Sequence, residues 1–173
     1  MNATELSHLL ARELRAIVRE LNAYQTEDQV WALPPGLPNS GGTLALHAAG
    51  NLQHFIGAVL GGSSYVRDRD AEFQRRNVPR SELIEEIQRA EASVRETLER
   101  MDSAVLDEEY PLPVANRRLT TSDFLGHLAT HLAYHVGQID FHRRIVTGDA
   151  TGVGPVSPAE LASARPIESG DRG

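Results

Sequence analysis

The chain of 173 residues contains no cysteine. That excludes a disulfide framework and any metal site built from its own thiolates. A metal could be held only by nitrogen and oxygen ligands, and thiol chemistry would have to draw its sulfur from a second molecule. Long apolar runs are also missing. Nothing approaches the roughly 18 consecutive apolar residues of a membrane span. The opening stretch MNATELSHLLARELRAIVRE is charged and amphipathic, with no apolar centre of a leader peptide. A cytoplasmic protein without a membrane partner is the expectation. Nor is there a basic cluster: the net charge is −7 and the arginines are scattered among acids, which argues against nucleic acid as a partner. No internal repeat and no alternating strand pattern interrupts the sequence. What remains is 40% apolar and 24% charged, the balance of an ordinary globular domain.

Four segments carry helical periodicity. The first spans about Thr4 to Tyr24, with Leu6, Leu10, Leu14, Ile17 and Leu21 at three- and four-residue spacings. The turn-rich WALPPGLPNSGG then forbids helix until Thr43. TLALHAAGNLQHFIGAVL makes the second helix, stopped at Gly61-Gly62. The segment that follows, SSYVRDRDAEFQRRNVPR, is too charged to be core. Ser81 is the expected N-cap of a third helix running to Met101. After YPLPVANRRLT, Thr120 or Thr121 caps a fourth helix that runs to about Val146, before Gly148. These segments predict an all-α four-helix bundle over residues 1–147, with unusually long connections. Residues 148–173 form a Gly-, Pro- and Ala-rich tail, expected to be partly disordered or docked as a short irregular arm.

Histidine is the unusual feature. HLATHLAYHVGQIDFHRR, residues 127–144, holds four of the seven. At about 100° per residue, His131 and His135 fall inside the apolar stripe of the fourth helix. His127 and Gln138 lie along one edge of that stripe, and His142 shares its direction almost two turns further on. On the second helix His47 and His54 both point inward, but about 10 Å of rise separates them, too far for one ion. Asn51 follows His47 on the same face. A buried imidazole needs polar partners, so two readings stand: core histidines bonded to neighbours, or an open site holding a metal ion. Asn51 and Gln138 are candidate acceptors of a ring proton, or groups that orient substrate. Tyr24 and Tyr134 are better read as packing or surface residues. The fourth helix has no glutamate, and H-E-x-x-H is absent. Di-iron carboxylate chemistry is therefore disfavoured.

THLAYHVGQI resembles the H-x-x-x-H-x-G-Q-I signature in the last helix of the DinB-like superfamily, which includes YfiT-type proteins. LALHAAGNLQHFIG resembles the matching second-helix segment, where a histidine precedes a Gly-Asn pair, and YVRDRDAEFQRRNVPRSEL is similar to a connection seen in one branch. The resemblance spans about residues 5–147. It implies a bundle of up-down-down-up topology and a divalent metal, zinc or nickel, held by His47, His131 and His135. Asn51, His54, Gln138 and His142 become pocket or supporting residues, and His127 ordinary packing. Members of the superfamily often form homodimers. The implied activity is that of an S-transferase using a low-molecular-weight thiol, the reactive group being a metal-bound water or thiolate. Two alternatives stand beside it: a metal-dependent hydrolase, and a non-catalytic metal-binding bundle.

Overall fold

A computed structural model describes residues 1–154 and 157–167. It is all-helical, with no strand among the described residues. The four segments with helical periodicity are its four longest helical stretches. Helix α1, Ala3–Ala23, opens with a capping box: Asn2 accepts from the Glu5 amide, and Glu5 accepts from the Asn2 amide, each at 2.9 Å. A short helix absent from the sequence reading, α2 (Glu27–Trp31), follows under a Thr26 cap. Helix α3, Gly41–Leu52, begins two residues before the expected start, because Ser40 caps it. Its first two residues are glycines for a packing reason. A Cβ on Gly41 would overlap the Tyr24 hydroxyl, and one on Gly42 would sit 2.7 Å from the Trp31 ring.

Helix α3 continues without a break into a π-helical stretch, Gln53–Ala58. Then comes α4, Arg69–Gln74, in the segment read as too charged for the core. That reading is corrected by Glu72, which is only 6% exposed. Its burial is tolerated because its charge is paired and hydrogen-bonded. Helix α5 spans Arg80–Leu98, and Ser81 is not its cap. Pro79 occupies that position, and Glu27 from α2 accepts the Arg80 amide at 2.9 Å. A tertiary contact thus replaces the local cap. Helix α6, Thr121–Thr147, is capped by Thr120 and ends at Gly148 with φ 70°.

Helix α1 packs on α5 and α6, and α3 packs on the same two helices. One core fills the space between them. It contains Leu10, Leu14 and Ile17 from α1, Leu52 from α3, Leu83, Ile87 and Val94 from α5, and Phe124, Leu128 and Ile139 from α6. Each fully buried side chain of this kind contributes about 1.5–3 kcal/mol. The far end of α6 is fixed by a buried ion pair, Arg143 Nε to Glu20 Oε2 at 2.9 Å. Arg143 also donates to the carbonyls of Asp149 (2.8 Å) and Thr151 (2.9 Å). Further along the tail, Glu160 pairs with Arg15 and Arg19 of α1. Of the tail expected to be partly disordered or docked as a short arm, residues 148–173, residues 155–156 and 168–173 lie outside the described residues.

Candidate metal centre

Three imidazoles meet between α3 and α6. His131 and His135 are one turn apart on α6, and their Nε2 atoms lie 3.0 Å from each other. The His47 ring enters from α3, nearly perpendicular to both, with centroids at 5.5 and 5.0 Å. One ring nitrogen from each of the three lies within 4.8 Å of the others. Ligand bonds of about 2.0–2.1 Å set tetrahedral nitrogens roughly 3.3 Å apart. The α6 pair already has nearly that spacing, and His47 would close the rest by a small side-chain movement. Three neutral nitrogen donors with no carboxylate among them suit a divalent ion and leave room for a further ligand.

The protonation states agree with that use. Burial, reinforced by the nearby His135, His47 and His127, pushes His131 down to about 4. Burial also lowers His135, against a hydrogen bond from its Nδ1 to Gln138 Oε1 at 2.8 Å. Because an amide oxygen only accepts, that bond puts the proton on Nδ1 and leaves Nε2 bare. At neutral pH both rings are uncharged, as metal ligation requires.

The other sequence candidates are spread around this cluster. Gln138 supports His135, as described. Asn51 is 8% exposed on α3, and its Oδ1 is buried without a hydrogen bond among the described residues. His54 is half-buried on the π-helical stretch, against Phe55. Its pKa is lowered by burial and by the charge of Arg67. His54 sits at the second residue of the π-helical stretch, Gln53–Ala58. His142 is a satisfied core residue: Nδ1 meets the Tyr24 hydroxyl at 2.7 Å, and Nε2 donates to the Ala32 carbonyl at 2.8 Å. It also lines a cavity of about 130 Å³ with Gln138, Phe141 and Leu44. His127 is exposed and stacks on His131, centroids 5.8 Å apart. Tyr134 is exposed, while Tyr24 is buried.

Sequence reasoning missed the residues behind His47. Glu72 Oε2 lies 2.9 Å from His47 Nδ1, and Arg67 grips the same carboxylate through Nε (2.7 Å) and Nη2 (2.9 Å). Burial alone would raise the Glu72 pKa, but the bonds from Arg67 and His47 outweigh it and hold the carboxyl below its ordinary value. The Phe73 ring packs 5.0 Å from His47. One signal was available: a Glu-Phe pair inside an arginine-rich connection.

A family model described as MST: Mycothiol-S-transferase matches residues 5–148. No curated protein and no solved structure matches the chain.

Proposed function

The chain belongs to the mycothiol-S-transferase family, within the DinB/YfiT-like superfamily, and on that premise we propose that it is a metal-dependent thiol S-transferase. Its four long helices would form a four-helix bundle of up-down-down-up order, with His47, His131 and His135 holding one zinc or nickel ion. The observation that carries the reading is the convergence of three imidazole nitrogens from two helices inside a family of thiol transferases. A divalent ion there would supply positive charge that favours the thiolate form of a small thiol, mycothiol or a chemical relative.

The remaining work falls to side chains. His131 and His135 present neutral nitrogens, and Gln138 keeps the His135 proton on Nδ1. Phe73 packs against His47, centroids 5.0 Å apart, and Phe55 lies under the Arg67 guanidinium at 5.5 Å. The chain has no cysteine, so the sulfur is the substrate's. It would bond to an electrophilic carbon, the leaving group would depart with its electron pair, and the thiol proton would pass to solvent. Asn51, His54 and His142 would line or support the pocket.

We read the protein as a cytoplasmic homodimer. Tyr134, Phe141 and Ile145 are all exposed on one stripe of α6, and contiguous exposed apolar surface marks interaction sites. No helix among the described residues is long and apolar enough to cross a membrane. The test is turnover. Zinc- or nickel-loaded protein should consume mycothiol with electrophilic acceptors, and chelated protein should not. Cleavage of esters or amides with no thiol consumption would replace this reading with a hydrolase.

A further inference from the structure

Resting on the metal-dependent reading, we propose that Glu72, clamped by Arg67, is a positioning residue that holds His47 as its Nδ1–H tautomer and keeps Nε2 turned toward His131 and His135. An ionised carboxylate has no proton to give. At 2.9 Å from Glu72 Oε2, His47 Nδ1 is therefore the donor, and a neutral ring then carries its lone pair on Nε2. Arg67 Nη2 lies 3.4 Å from the same Nδ1. It too is only a donor, so both groups aim at Glu72 and neither at the other. The two-pronged Arg67 grip fixes the plane of the carboxylate. The charges are buried: Glu72 and Arg67 side chains are 6% and 11% exposed.

Gly50 makes this arrangement possible. A Cβ there would overlap Glu72 Oε1, with the Tyr65 hydroxyl at 3.2 Å as the next neighbour. The glycine one turn after His47 is thus the gap into which α4 lowers its carboxylate. His135 takes its acceptor, Gln138, from its own helix. His47 takes its acceptor from a connection more than twenty residues away, so the folding of that connection and the readiness of His47 are one event. Partners of this kind typically contribute 10–100-fold to metal affinity.

The test has two readouts: the His47 tautomer in metal-free protein, from long-range ¹H–¹⁵N NMR, and zinc affinity, by competition with a chromophoric chelator. Wild type and Glu72→Gln, which keeps an oxygen for Nδ1, should show the Nδ1–H form. Glu72→Ala and Gly50→Ala should lose that preference and bind zinc about 10–100-fold more weakly, with Glu72→Gln losing less. Gly50→Ala removes no polar group, so it decides the matter even if Glu72→Ala fails to fold. The proposal is overturned by an Nε2–H ring in wild type, or by unchanged tautomer and affinity in Glu72→Ala and Gly50→Ala. Wild type that takes up no zinc would overturn the metal reading instead, while the tautomers still decide the role of Glu72.

Discussion

Replacing Arg143 with methionine should be among the most damaging changes outside the histidine cluster. Arg143 is 1% exposed and Glu20 is 0% exposed, with 2.9 Å between their charged atoms. The bond is to Oε2, and Glu20 Oε1 has no hydrogen-bond partner among the described residues. Arg143→Met would strand a buried carboxylate, and removing one partner of such a pair costs about 3–5 kcal/mol. The same substitution frees the carbonyls of Asp149 and Thr151, which lie near the surface and turn to water at little cost. For a chain of this length, each kcal/mol moves Tm by roughly 2–4 °C, so a fall of roughly 6–20 °C is expected in a thermal melt. Asp140, which also accepts from Arg143, keeps Arg144 as its partner. The double variant Glu20→Leu/Arg143→Met, which removes the fully buried pair, should therefore recover most of the loss, since such a pair is often neutral against apolar replacements. A melt within a degree or two of wild type for Arg143→Met alone would refute the reasoning, and so would a double variant worse than the single.

His47→Ala, His131→Ala and His135→Ala should each abolish stoichiometric metal by elemental analysis, while His127→Ala, which removes an exposed ring stacked between Phe124 and His131, should retain it. Part of the pH dependence of the metal-free protein follows from His131 and His135, whose pKa values lie below the ordinary 6.5, and His54 and His142 act in the same direction. The unfolded chain then binds more protons than the folded one as pH falls from 6.5 toward about 4. Chemical denaturation should show stability falling with acid across that window and no contribution from these rings above it; a rise would contradict the pKa assignments. Gly42→Ala should destabilise by about 1–3 kcal/mol, because its Cβ would press on the buried Trp31 ring. Gly→Ala without such a neighbour stabilises by up to about 1 kcal/mol, and a gain in the melt would show that Trp31 yields freely.

Much of this was legible in the sequence because helices obey a fixed angle. The spacing of His131 and His135 and the inward face of His47 follow from 100° per residue, and those rings do converge. The same arithmetic could not tell that His142, in nearly the same direction, reaches a level where Tyr24 and Ala32 occupy both of its nitrogens. Direction around a helix is local; what stands opposite is not. The π-helical stretch Gln53–Ala58 was a second feature that the periodicity did not signal. Glu72 was hidden for a third reason. A charged connection reads as solvated until its partners are known, and those partners, Arg67 and His47, meet it only in the folded chain.

The most direct test of the central claim is an equilibrium titration of mycothiol against metal-loaded and chelated protein. The account predicts one thiol bound per metal-loaded chain, and none to the chelated chain or to His135→Ala. Equal binding with and without metal, or no binding to the loaded protein, would contradict it.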